Sequence, residues 1–101
     1  MRRAIRKETD MAYKIVVITR PLRNKKDAQD FLIEFRDLAM FRNCKLIAYA
    51  EDGPQPFVVP LKGYKSGHHF TFVIDRISEA NLSLFMKFLN KNYLSASAAR
   101  M

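Results

Sequence analysis

Apolar and polar positions follow two rhythms along this chain. Residues 12–19, AYKIVVIT, form a near-continuous apolar run rich in β-branched side chains. That pattern predicts a strand buried on both faces, hence a central one. Arg20-Pro21 ends it, because proline brings no N–H to a ladder. Residues 22–26, LRNKK, read as a basic loop in which Asn24 is a suitable helix N-cap, with Asp27 three positions on. Ala28, Phe31, Leu32, Phe35, Leu38 and Ala39 then recur at helical spacing, with Asp30, Glu34 and Asp37 on the other side and Arg36 between them. The spacing predicts an amphipathic helix to about Arg42, with Asn43 as its stop.

Residues 45–50, KLIAYA, predict a second strand, and Glu51-Asp52-Gly53-Pro54 a turn. Residues 57–61, FVVPL, predict a third strand, assigned to a sheet edge by Pro60. Residues 62–67, KGYKSG, read as a glycine-bounded turn. Residues 68–74, HHFTFVI, alternate cleanly, with Phe70, Phe72 and Ile74 on one face and His69, Thr71 and Val73 on the other. Ser78 caps a second helix built on Leu82, Leu84, Phe85, Met86, Phe88 and Leu89, which fades near Tyr93. The closing SASAARM has no period and predicts a frayed tail.

The order β-α-β-β-β-α predicts an α+β fold: a two-layer sandwich whose helices both cover one face of a single, mostly antiparallel sheet. A right-handed crossover makes the first two strands parallel, with another strand between them. Such an arrangement resembles the ferredoxin-like and RRM-like sandwiches. The expected organisation is a flexible basic arm over residues 1–11, one domain over 12–94 and the frayed tail over 95–101. Met11 offers a second plausible start to the chain.

Composition narrows the classes. The 101 residues are 49% apolar and include eight Phe and four Tyr, too many for a disordered chain. The single cysteine, Cys44, excludes an internal disulfide and a cysteine-based zinc site. It follows a helix end, near the negative pole of the dipole, where a thiolate is disfavoured; it reads as a small buried hydrophobe. Apolar runs such as Ile15–Ile18 are far too short to cross a bilayer, and the basic N-terminus is not followed by a signal-peptide pattern. The expectation is a cytoplasmic protein with no membrane partner.

Charge adds an asymmetry. The net charge is +8. Residues 1–26 carry nine positive and two negative side chains, whereas residues 27–101 carry nine positive and eight negative ones. A positive field at the front of a nearly neutral body suits a polyanion or an acidic protein surface.

Four constellations are candidates for function. Arg20, Arg23, Lys25 and Lys26 gather at a helix N-terminus, where free backbone N–H groups already favour an anion; Arg2, Arg3, Arg6 and Lys7 of the arm extend this phosphate-binding set. The second is the sheet face left bare by the helices, on which His69, Thr71, Tyr13 or Tyr49 could meet bases. There Lys62-Gly63-Tyr64 is similar to the opening of the RNP1 pattern of RRM domains, which implies nucleic-acid contact by Lys62, Tyr64, Lys65 and His69. The likeness ends at Lys65, Ser66, Gly67 and His68, read as interrupting the strand, and no last strand is evident. The third is His69-Phe70-Thr71, half of the constellation used by two-histidine phosphoesterases. His68 points to the opposite face, and a lone base without an acid is a poor catalyst. The fourth is apolar excess off the buried stripe, at Ile33, Met40 and Phe41, a candidate protein interface.

Neither a catalytic residue, a metal site nor a cofactor is expected; the enzyme alternative is a phosphoesterase or nuclease using His69. Two readings stand side by side. One is a small basic nucleic-acid-binding protein, of RNA or DNA, making phosphate-backbone contacts. The other is a small protein-binding regulator or inhibitor, of the kind found among viral accessory factors, docking on a larger nucleic-acid-processing machine.

Overall fold

The computed structural model describes residues 11–101. The elements are β1 (Met11–Thr19), α1 (Lys25–Phe41), β2 (Lys45–Leu61), β3 (Tyr64–Ile77), α2 (Glu79–Asn92) and β4 (Ser95–Arg100). The strands form one sheet in the order β2-β3-β1-β4, and every adjacent pair is antiparallel. β1 is therefore central, and β1 and β2 run parallel with β3 between them, as the crossover argument requires. The β-α-β-β-α-β order is that of a ferredoxin-like two-layer sandwich.

The helix ends follow from local chemistry. Asn24 Oδ1 accepts from the Asp27 N–H at 3.0 Å, and Asp27 Oδ2 accepts from the Arg23 N–H at 3.2 Å. At the other end Asn43 takes φ 59°, and the N–H groups of Asn43 and Cys44 return to the Met40 and Ala39 carbonyls. That is a Schellman closure with asparagine in the left-handed position. Ser78 caps α2 through Asn81 N–H.

One face of the sheet receives both helices. Tyr13, Ile15 and Val17 of β1 and Phe70, Phe72 and Ile74 of β3 join Phe31 and Phe35 of α1 and Phe85 and Leu89 of α2 in a single core. The rings of Phe35 and Phe72 stack at 3.6 Å with their planes 5° apart, and Phe31 leans on Phe70 at 4.6 Å. Each such side chain contributes about 1.5–3 kcal/mol through burial. On the reverse face Val16, Ile18, His69, Thr71 and Val73 are half-exposed. β1 is thus central without being sealed on both sides.

Three expectations from the pattern need correction. The second and third strands are one: β2 runs unbroken through Glu51–Pro54, with register shifts at Leu46/Ala48, Glu51/Gly53 and Pro56/Leu61 absorbing its turn-forming residues. Glycine and proline here make an irregular edge strand, which needs no ladder N–H on its outer side. The turn over 62–67 is only Lys62-Gly63, both at positive φ (49° and 86°), a two-residue primed turn. Lys65–His68 consequently lie inside β3 and do not interrupt it. Finally, residues 95–100 are not a frayed tail but β4, paired along β1 from Ile18↔Ser95 to Tyr13↔Arg100. Asn90 holds it: its amide donates to Ala96 O at 3.0 Å and accepts from Ala96 N at 2.9 Å.

Two predictions follow from this packing. A Cβ built on Gly67 would lie 2.7 Å from Ile18 Cγ2, from Phe57 Cζ and from the Thr19 carbonyl oxygen. The carbonyl belongs to the central strand and cannot give way, so Gly67→Ala is expected to destabilise by roughly 1–3 kcal/mol in urea titration. Cys44 is buried, with its thiol donating to Ala39 O at 3.2 Å. Burial lifts its pKa from 9.0 to about 11, only partly offset by a backbone hydrogen bond. The unfolded chain therefore loses this proton first as pH rises. Stability from this group is complete below pH 9 and falls between pH 9 and 11 by on the order of 2 kcal/mol. Cys44→Ala is expected to flatten that part of the stability–pH curve.

Candidate nucleic-acid interface

One end of the sandwich collects most of the chemistry. β1 finishes at Thr19, and the loop through Arg20-Pro21 delivers the chain to α1. The turn between β2 and β3 and the C-terminus of α2 lie at the same end, because Lys62 Nζ donates to the carbonyls of Asn90 (2.7 Å) and Tyr93 (2.8 Å). A long hairpin is thus clasped onto the last turn of a helix 28 residues further on. The contact is favourable on two grounds: it satisfies carbonyls the helix leaves free, and it sets a cation at the negative pole of the dipole.

Arg20, Arg23, Lys25 and Lys26 are all exposed on this end. Arg23 Nε stands 3.5 Å from Asp27 Oδ2, with most of its side chain in solvent. Lys25 and Lys26 open α1, where the dipole repels cations. Ordinary stability would favour acids at these positions. A local choice that opposes helix stability is a signature of sites kept for another purpose.

A cleft of about 540 Å³ opens beside them, between the hairpin turn, the first half of α1 and the end of α2. Phe31, Tyr64 and Tyr93 give it an aromatic lining, and the Phe31 and Tyr93 rings meet edge-on at 5.0 Å. Tyr93 Oη donates to Glu34 Oε1 at 2.5 Å. Burial, reinforced by that bond and by the charge of Glu34, pushes the phenol pKa well above its usual value, so Tyr93 stays a donor.

The candidate residues divide accordingly. Arg20, Arg23, Lys25, Lys26, Tyr64 and exposed Lys65 share this end. Lys62 does too, but its ammonium is committed to helix carbonyls. Arg2, Arg3, Arg6 and Lys7 lie outside the described residues. His69 sits on the reverse face of β3, where its Nδ1 is buried without a partner and the Phe57 ring lies 6.2 Å away. Ile33, Met40 and Phe41 are exposed on the outer side of α1.

Two of the alternatives lose their geometry. Tyr13 and Tyr49 supply no platform on the bare sheet face: Tyr13 is in the core, and Tyr49, though 58% exposed, pairs opposite Phe72 on the helix side, which leaves there, among the named candidates and their neighbours, only the rings of His69 and Phe57. The His69-x-Thr71 constellation is also spent, since Thr71 Oγ1 donates to Asp52 Oδ2 at 2.7 Å, and His68 engages Glu51 at 2.7 Å from the opposite face. Among the described residues, no three His, Cys, Asp or Glu side chains gather to hold a metal, and no helix is long and apolar enough to cross a membrane.

No family model and no curated protein sequence matches the chain. The fold is shared with a ribosomal protein. The crystal structure of 30S ribosomal protein S6 from Thermotoga maritima superposes with a TM-score of 0.73 over 91% of this chain and 88% of that one. Sequence identity is 16%, so the likeness to S6 shows the arrangement of strands and helices and nothing finer.

Asp30, Glu34, Lys91 and Tyr93, which line the cleft, were not among the residues singled out from the sequence. The only signal for the acids was that Asp27, Asp30 and Glu34 recur at i, i+3 and i+7, a stripe beside the core face. Replacing the clasp with Lys62→Met keeps the aliphatic stem and removes the donor. Hydrogen exchange is expected to accelerate at residues 61–66 and at the end of α2, while β1 amides keep their protection.

Proposed function

We propose that this is a small RNA-binding protein whose basic end grips the phosphate backbone. The observation that carries the reading is the exposure of Arg20, Arg23, Lys25 and Lys26 together at the start of α1, with Lys65 and Lys91 from neighbouring elements at the same end. Unpaired N–H groups of the helix add to their attraction for phosphate. Support for RNA over DNA comes from the shared fold with S6, a protein of the 30S ribosomal subunit. A ribonucleoprotein partner fits both. Arg2, Arg3, Arg6 and Lys7 would add further contacts from the arm. Nothing in this reading calls for catalysis: phosphate contacts position a protein on its target and leave the backbone intact.

A second reading draws on the outer side of α1, where Phe41 is 76% and Met40 66% exposed, with Ile33 beside them. Apolar side chains so open to water suit docking on a protein. In this reading the basic end steers association with a larger assembly and the α1 surface makes the contact.

Anisotropy titration of labelled single-stranded and duplex RNA and DNA tests the first reading. With about four phosphates contacted on a single strand, affinity is expected to fall roughly fifty-fold between 50 and 200 mM salt. The combined Arg23→Ala, Lys25→Ala and Lys26→Ala change should lower the salt slope by about 2 and weaken all sequences alike. Absence of binding at 50 mM salt would sink the RNA reading and leave the docking one.

A further inference from the structure

We propose that the cleft between the hairpin turn, α1 and the end of α2 receives a single guanine base from an unpaired RNA strand. The inference rests on the RNA reading above and names what that end of the molecule selects.

The starting point is a charge arrangement that phosphate binding alone does not explain. Arg20 and Lys91 border the cleft, yet Asp30 and Glu34 line it from α1. Carboxylates repel phosphate, so within a cationic end these two must face something else. The other carboxylate of the stripe, Asp27, is occupied by the Arg23 backbone and guanidinium. Glu34 is held in position by Tyr93, which uses one of its oxygens; the other oxygen and the whole Asp30 carboxylate are available to accept hydrogen bonds.

Ligand chemistry then narrows quickly. A flat ring suits the wall made by half-buried Tyr64 and Tyr93, with buried Phe31 behind them, and aromatic contact with bases is a general source of affinity for single strands. The ring must also bring donors to the carboxylates. Guanine alone among the four bases carries two adjacent donors on its Watson–Crick edge, the ring N1–H and the exocyclic amine, which match a carboxylate. Adenine and cytosine set a ring acceptor beside their amine, and uracil flanks its single N–H with two carbonyls. Each of these aims a lone pair at the acids. The cations at the rim then meet the phosphates on either side of the base. A lysine or arginine side chain from a protein partner would also satisfy the acids, but Arg20 and Lys91 repel it. The cleft volume, about 540 Å³, falls within the range of small-ligand sites.

The test uses the full chain and labelled six-nucleotide strands of uracil carrying guanine, inosine or adenine at one central position. Guanine is expected to bind about ten-fold more tightly than adenine, with inosine, which lacks the exocyclic amine, in between. Glu34→Gln and, separately, Asp30→Asn should bring the guanine/adenine ratio near one, while affinity for the all-uracil strand does not fall, because each change removes a charge that repels phosphate. The Asp30 variant alters an exposed side chain and guards against misfolding of the Glu34 one. Equal affinity for the three strands overturns the pocket but not the RNA reading. Failure of every strand to bind, uracil included, overturns both. A titration with guanosine monophosphate separates the sources. Shifts in the Tyr64 and Tyr93 ring signals that accompany guanine-selective strand binding support the proposal. The same shifts without strand binding overturn it in favour of a free nucleotide.

Discussion

The contact between Phe35 and Phe72 governs this molecule. One ring comes from the middle of α1 and the other from the middle of β3, and they lie face to face at 3.6 Å. Phe31, Phe70 and Phe85 close around them. That layer decides which face of the sheet is dry. It also sets the direction of α1, whose first turn must start where β1 stops. The basic loop is therefore carried to the same end as the hairpin turn by the geometry of the core.

That end shows where stability has been given up. Lys25 and Lys26 oppose the dipole of the helix they begin, and a carboxylate pair sits among cations beside an open cleft. Compensation is visible nearby: the Asn24 and Asp27 caps hold the first turn, and the ammonium of Lys62 closes the last turn of α2. The site is thus a local conflict framed by strong local bonds, which is how strained or charged arrangements persist in folded proteins.

Much of the fold could be read from residue order. The helix over residues 25–41 announced itself through Phe31, Phe35, Leu38 and Ala39 and through a polar cap. The central position of the first strand and the edge position of Pro60 also followed from composition. What escaped detection did so for identifiable reasons. β4 is built of serine and alanine, which carry no hydrophobic period; its order comes from pairing with β1 and from Asn90, both distant in sequence. β2 was split because Gly53, Pro54 and Pro56 normally break strands, whereas an irregular edge tolerates them. The cationic loop was plain from the start, but the cleft was not, since its walls come from four elements brought together only by folding. Tyr13 and Tyr49 show the same limit from the other side: their type suggested base stacking, and only register reveals that both face the helices.

The strand order has a consequence for how the chain reaches this state. β2 and β3 are neighbours in sequence and zip from a two-residue turn, but β1 joins its partners only across long stretches of chain: Ile15 lies beside Phe72 and beside Ala98, 83 positions away. Closing such loops costs entropy before any contact rewards it. The middle of the sheet is therefore assembled late, onto a hairpin that can exist before it. Folding of this molecule belongs with mixed α/β domains, between helical bundles and all-β sandwiches in speed, and the interval before β1 is flanked on both sides is when its apolar run is open to other chains.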